Sequence, residues 1–290
     1  MTVTALVSAK SCGVTASALA LTLASRRTSL LAECDPAGGT VRAGLLSSTP
    51  TRGVGLYHLA EAERTSPEVF AQAVPSHLVA LDEAGHRKVL PGMTDPTQAA
   101  ALTRTWPALS QVLHILAADA AYDVYIDAGR LAVDAGRLHP TLSCAPLIYE
   151  ADLVLLTVRG TEQSLALARH LIRPLRAELD AHGSGADALG VLLIEGGYRA
   201  HQVSEALDVP VQAALPWDPA TAGYLTEGGN PPRGYGGRRS PLLHRARSAT
   251  EQIEAAAQRR RVQRQWPRPD HPQMAGVLDR LTAQAAEGGV

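Results

Sequence analysis

Three acids and one hydroxyl stand at or just beyond the ends of apolar runs, where they could do chemistry. Thr15 follows Gly13 and Val14 in "VSAKSCGVTAS", where an apolar run over 2–9 gives way to a helical pattern over 15–25. Asp35 closes "SLLAECD", with Glu33 two places before it, and Asp127 closes "YDVYIDA". A carboxylate at the tip of a buried strand is a common holder of hydrated magnesium. A turn of small residues feeding a helix lets backbone N–H groups approach an anion, with the positive end of the helix behind them. Together these residue types could hold a magnesium-bound phosphate. The plainer reading is a tight strand-to-helix turn at Gly13 and strand-end aspartates that cap turns.

The general phosphate-loop pattern, G-x-x-x-x-G-K-[ST], is met only in part. Anchored on Gly13 and Thr15, it places Ser8 where the first glycine belongs and Val14 where the lysine belongs. Ser8, Ala9, Ser11, Cys12 and Gly13 are small enough to let a phosphate approach the backbone. Valine brings no charge to a β- or γ-phosphate. Lys10, on the other side of the loop, could lend its own. It is conspicuous because only it and Lys88 are lysines among 27 basic residues.

Such groups need a sheet to position them. Apolar, β-branched runs at 2–9, 29–35, 122–128, 152–158, 189–195 and 210–216 read as buried parallel strands. Helical patterns at 15–25, 97–118, 161–181 and 199–207 lie between them. This alternation predicts an α/β fold, a doubly wound, mostly parallel sheet flanked by helices. The segment 40–95 is less regular and predicts a helix followed by a hairpin or short strands. "EGGNPPRGYGGRRSPL" (227–242) predicts a surface loop, and a final helix is expected over 241–263. A charged, Pro-broken stretch and a short amphipathic piece near 274–286 follow. The expected organisation is one domain over 1–255 and an Arg-rich, partly disordered tail over 256–290.

Composition narrows the function classes. The 290 residues are 46 % hydrophobic, ample for a large core, and the net charge of −1 gives no global field for nucleic acid or anionic lipid. Locally, "RRRVQRQWPR" (259–268) and Arg233, Arg238 and Arg239 could touch phosphate backbones or an anionic membrane, or could simply be solvated. Cys12, Cys34 and Cys144 form no C-x-x-C pair, which argues against a disulfide scaffold or a zinc site and fits a reducing compartment. Neither a secretory signal pattern nor a membrane-length apolar run is evident. The expectation is a soluble, cytoplasmic protein.

Order and spacing make the pattern more specific. "AKSCGVT", "ECDPAGG" and "YDVYIDAG" appear in the order of a phosphate loop, a second-strand acid and a Walker B strand. With "EADLVLLTVRGTEQSLALARHLI", "VSEALDVPVQAALPWDP" and "SPLLHRARSATEQI", the chain resembles the ParA/MinD family of P-loop ATPases, the deviant Walker A group, over about residues 1–255. The resemblance implies ATP and magnesium as ligands. It implies phosphate contacts from Lys10, Ser11, Cys12, Gly13, Val14, Thr15 and Ala16, and base-side contacts from Pro216 and Asp218. It implies Thr15, Asp35 and Asp127 at the metal, partly through water. Asp35 would support hydrolysis, joined by Lys10 if that lysine serves in place of the missing one.

The departures matter as much. Val14 replaces the loop lysine and Glu33 replaces the first acid of D-x-D-P. The family's signature lysine, which reaches across a sandwich dimer, falls on Ala9, one place from Lys10. Glu195 and Gly196 stand where the family carries a base-side Asn. Removing one preorganised donor typically costs on the order of 10²–10³ in rate, so the expectation is a weak or inactive ATPase. The degenerate loop resembles atypical members of the CpaE/TadZ type, which act as localisation or assembly factors for secretion or pilus machines. That reading implies a face-to-face homodimer working through protein partners. The alternatives are an active partition ATPase with DNA on its arginine-rich surface, and a nucleotide-free scaffold of the same fold.

Overall fold

In the computed structural model, residues 1–183, 185–233, 235 and 240–265 are described. The first half of the chain runs β1 (Val3–Ser8), α1 (Val14–Ala24), β2 (Ser29–Glu33), α2 (Thr40–Ala43), α3 (Leu56–Thr65), α4 (Pro67–Ala73), β3 (Val79–Ala80), β4 (Arg87–Leu90), α5 (Ala99–Leu102) and α6 (Thr105–Ala118). The second half runs β5 (Asp123–Arg130), β6 (Val133–Asp134), β7 (Arg137–Leu138), α7 (Ala145–Glu150), β8 (Leu153–Arg159), α8 (Glu162–Ala181), β9 (Leu189–Ile194), α9 (Ala200–Leu207), β10 (Val211–Leu215), α10 (Pro219–Glu227) and α11 (Pro241–Gln265).

Eight strands form one sheet in the order β10-β9-β8-β1-β5-β2-β4-β3. Every pairing is parallel except the edge pair β3–β4. The strands are apolar on both faces because helices cover both faces. Alternate residues feed two cores, as the two-residue period of a strand requires. Ala5, Val7, Leu30, Val124 and Val154 pack with α3 to α9 on one face. Leu6, Leu31, Tyr125, Leu155 and Leu192 pack with α1, α10 and α11 on the other. The doubly wound α/β architecture expected from the strand and helix alternation is therefore the observed one. β1 sits centrally, and the chain departs from it first toward β2 and later toward β8. That reversal opens a crevice at the carboxyl ends of the strands.

Some expectations change in detail. The helical pattern at 97–118 is broken at Thr103–Arg104 into α5 and α6. The irregular segment supplies three helices before its strands, and β4 extends the main sheet beside β2. The boundary drawn at 255/256 falls inside α11, whose Ala256, Ala257 and Arg260 are buried. Arg238, Arg239 and everything after 265, including the amphipathic piece near 274–286, lie outside the described residues. Among the described residues, no helix is long and apolar enough to cross a membrane, and all three cysteines are free thiols.

Candidate functional site

The loop between β1 and α1 lies at the crevice. Gly13 caps α1 with φ at +89°, a left-handed conformation that favours glycine, and open space surrounds its missing Cβ. α1 has no side-chain N-cap, so its first N–H groups are left for another acceptor. Cys12 donates its thiol proton to the Thr157 carbonyl at 2.9 Å, tying the loop to β8. Burial pushes that thiol up to about 11, so it stays protonated and neutral. Ser8 ties the loop to the neighbouring strand, donating to the Gly129 carbonyl at 3.4 Å. Lys10, Ser11 and Gly13 are exposed, whereas Val14 is only 6 % exposed and packs in the core on the α1 face. The Val14 side chain thus contributes to the core rather than to the exposed surface of the loop.

The acids come together beside this loop. Glu33 and Asp127 are register partners on β2 and β5, and both are fully buried. Glu33 accepts from the backbone N–H groups of Gly39 at 3.1 Å, Val41 at 3.0 Å and Gly92 at 2.7 Å. Burial raises its pKa, those three donors oppose the rise, and the Arg42 guanidinium adds to the opposition. Its carboxylate therefore acts as a tie between two loops. A Cβ on Gly92 would lie 2.9 Å from Glu33 Cγ, which explains the glycine there.

Asp127 is different. Its Oδ1 accepts from the Gly129 N–H at 3.0 Å, but its Oδ2 is buried with no hydrogen-bond partner. Burial pushes its pKa up to about 7, and the nearby charges of Glu33 and Asp35 push the same way. The Thr15 hydroxyl and the Gly129 N–H pull against them, which places Thr15 beside this carboxylate. Asp35 accepts from the Ala37 N–H at 2.8 Å, and its carboxylate lies directly over Gly129, where an added Cβ would meet Asp35 Cγ at 2.0 Å. Burial raises the Asp35 pKa, opposed by the Ala37 N–H and the Arg130 charge. Thr15, Asp35 and Asp127, far apart in sequence, thus share one corner of the crevice.

A cavity of about 420 Å³ adjoins the loop. Its walls are Ala9 to Gly13 with Ala16, the end of β8 with the start of α8, and Trp217 with α10. From the base-side segment, Trp217 and Pro219 line it. Asp218 has another occupation. It caps α10 by accepting from the Thr221 N–H at 3.1 Å and the Thr221 hydroxyl at 2.7 Å, and it accepts from the Leu242 N–H at 3.3 Å. Pro216 is half-buried and Glu195 is exposed. The sequence reading passed over Arg159 and Trp217, although the "LPWDP" segment contained the tryptophan. The two walls of the crevice also touch. A Cβ on Gly44, at the end of α2, would lie 2.0 Å from the Thr226 carbonyl in α10.

The arginines of 259–268 mostly dock on the body. Arg260 donates to Asp187 at 2.9 and 3.3 Å and to the Asp152 carbonyl at 2.9 Å. Arg261 donates to the Asp152 carboxylate at 3.2 and 2.7 Å and to the Met1 carbonyl at 2.6 Å. Arg264 donates to the Gly183 carbonyl at 3.0 Å. Arg268 lies outside the described residues.

The residues at the loop suit a magnesium-bound phosphate. An unpaired buried carboxylate oxygen, a hydroxyl beside it and an uncrowded glycine turn at a helix start are the donor set such a group needs. Among the described residues no three His, Cys, Asp or Glu side chains are grouped to cage a metal ion. Magnesium does not require such a cage, because it is usually held by one or two carboxylates, water and substrate phosphates.

Comparison with protein-family models finds no match, and no curated protein matches by sequence. Solved structures do match by fold. A ParA family ATPase from Chlorobium tepidum superposes with a TM-score of 0.62 at 16 % identity, over 86 % of this chain and 98 % of that one. The septum site-determining protein MinD of Pyrococcus horikoshii, solved with Mg-ADP, gives 0.61 at 16 %, over 89 % and 98 %. A Cyanothece McdA variant in complex with ATP gives 0.58 at 13 %, over 87 % and 96 %. At these identities the likeness is one of fold, and the fold is that of the ParA/MinD P-loop ATPases.

Proposed function

We propose that this chain is a ParA/MinD-like nucleotide-binding protein with a degenerate Walker A loop, binding ATP with magnesium and hydrolysing it weakly or not at all. The observation that carries the reading is Asp127. A fully buried carboxylate with one unpaired oxygen is costly in isolation. Here it sits where the fold's switch point meets a glycine turn and a helix start. Thr15, Asp127 and Asp35 would hold the metal, in part through water. Ser11 to Ala16 would offer backbone N–H groups to the phosphates, with Lys10 and the helix dipole supplying charge. Magnesium, when bound, would neutralise phosphate charge.

Weak turnover follows from Val14. Phosphoryl transfer depends on positioned charge, and the side chain at the lysine position is buried in the core. A protein that binds nucleotide without spending it would act through assembly. On this reading it forms a homodimer and serves a secretion or pilus machine as a localisation factor of the CpaE/TadZ type. The Mg-ADP and ATP found in the Pyrococcus and Cyanothece proteins support the ligand class.

Calorimetry with ATP and ADP, with and without magnesium, tests the reading alongside a turnover assay on the native chain and on Lys10→Ala. Magnesium-dependent binding with little turnover is expected. No binding at millimolar nucleotide would overturn the nucleotide reading. Robust hydrolysis lost in Lys10→Ala would overturn the weak-ATPase reading and favour the partition ATPase.

A further inference from the structure

Arg159 closes β8, next to the strand that leads into the loop, and Trp217 lies in the turn after β10. The guanidinium carbon of Arg159 stands 3.8 Å from the centre of the Trp217 ring. The indole is 53 % exposed, unusual for so large an aromatic group, and its turn is fixed by the Asp218 cap that follows it. The Arg159 side chain is otherwise unpartnered among the described residues. Its guanidinium donates no hydrogen bond and makes no ion pair among the described residues, and its Nε is buried and unpaired. Thr157, 1 % exposed, carries an unpaired hydroxyl on the same wall. All three residues line the 420 Å³ cavity beside Lys10, Ser11, Cys12 and Gly13. The charged side chains lining it are Lys10, Arg159 and Glu227, a positive balance.

These facts describe two halves of one recognition device. An indole face attracts a guanidinium and also stacks a planar base. A buried guanidinium nitrogen without an acceptor is satisfied by a phosphate oxygen. We propose that Trp217 is the stacking platform for the base of a bound nucleotide, and that Arg159, stacked on that platform, is the phosphate-binding cation that stands in for the lysine absent at position 14. Base and guanidinium compete for one ring face, so stacking of the base frees Arg159 for the phosphates. The inference rests on the nucleotide reading above and adds to it a cation from a different strand.

Calorimetry of the full chain with magnesium compares ATP with inorganic tripolyphosphate, which has the charge and lacks the base. Trp217→Ala weakens ATP on the order of tenfold and leaves tripolyphosphate unchanged or tighter. Trp217→Phe retains the ATP affinity. Arg159→Met weakens both ligands by about tenfold or more, and Arg159→Lys recovers part of the loss. ATP quenches the emission of the native chain, and the quench is absent in Trp217→Phe. Thermal melting confirms that each variant is folded, and the Phe and Lys variants carry the test should the other two fail to fold. ATP affinity unchanged in Trp217→Ala and Arg159→Met overturns this inference while the nucleotide reading stands. Tighter ATP binding by Arg159→Met overturns the phosphate role and leaves the arginine a mere competitor for the ring. A native chain that binds neither ligand at millimolar concentration overturns both readings.

Discussion

At the amino ends of the strands, Asp152 and Asp187 are each met by an arginine of α11, while toward the carboxyl ends Asp127 is buried with one oxygen unpaired and, among the described residues, forms no ion pair. Even Asp123, at the start of β5, whose Oδ1 lacks a hydrogen bond and whose pKa burial raises, has Ser25 on its other oxygen at 3.0 Å and the charge of Arg27 opposing that rise. The chain pairs acids from within where it needs a firm base. At the crevice it leaves an acid for which a cation from outside would be stabilising. Local rules are broken mainly where function asks for it.

The contrast can be broken at its strongest point first. Asp127→Asn should lower the magnesium-dependent part of ATP affinity by about 100-fold, measured by calorimetry. The same change should stabilise the chain without ligand. A carboxyl raised from 3.8 to about 7 holds its proton in the folded state while the unfolded chain has lost it. The native chain therefore loses stability as pH rises from about 4 to about 7, by on the order of a few kcal/mol. In Asp127→Asn this slope disappears, so urea denaturation at pH 5 and pH 8 separates the two proteins. A native chain equally stable at both would mean that the acid is compensated after all.

Glu33→Ala comes next. It strands the N–H groups of Gly39, Val41 and Gly92, and should cost roughly 3 kcal/mol or more in urea denaturation. If it costs nothing, Glu33 is no structural tie. Arg260→Ala removes a buried guanidinium from Asp187, which is itself half exposed, and should cost about 1–3 kcal/mol while leaving nucleotide affinity unchanged. Arg261→Ala removes a more exposed partner of Asp152 and should cost about 1 kcal/mol or less. An effect of Arg260→Ala on nucleotide affinity would blur the distinction between the two ends.

Much of this was legible in the sequence because it is periodic. Six apolar runs became β1, β2, β5, β8, β9 and β10, each within about two residues of its expected ends. A strand buried on both faces announces itself by continuous Val, Ile and Leu. β4, short and with only Val89 and Leu90 buried, did not. At the candidate site, the convergence of Thr15, Asp35 and Asp127 was legible because strand ends in this architecture converge. The duties of Glu33 and Asp218 were not, since both are set by backbone N–H groups of other segments. The Arg159–Trp217 stack was invisible for the same reason, because it joins the ends of β8 and β10, which are not neighbours in the sheet. The role of Arg260 depends on where a helix comes to rest, which neither its charge nor its neighbours in the sequence reveal.

Gly44 and Thr226 meet backbone to backbone, with no side chain between them to yield. Such a joint has no slack. The segment that begins at Asp35 and the helix that begins beside Trp217 are mechanically geared through it. A tilt of one must be transmitted to the other as motion rather than absorbed as rotamer change. A larger residue at position 44 would act like a wedge driven into a hinge, holding the two halves of the crevice at a fixed spread whatever lies between them.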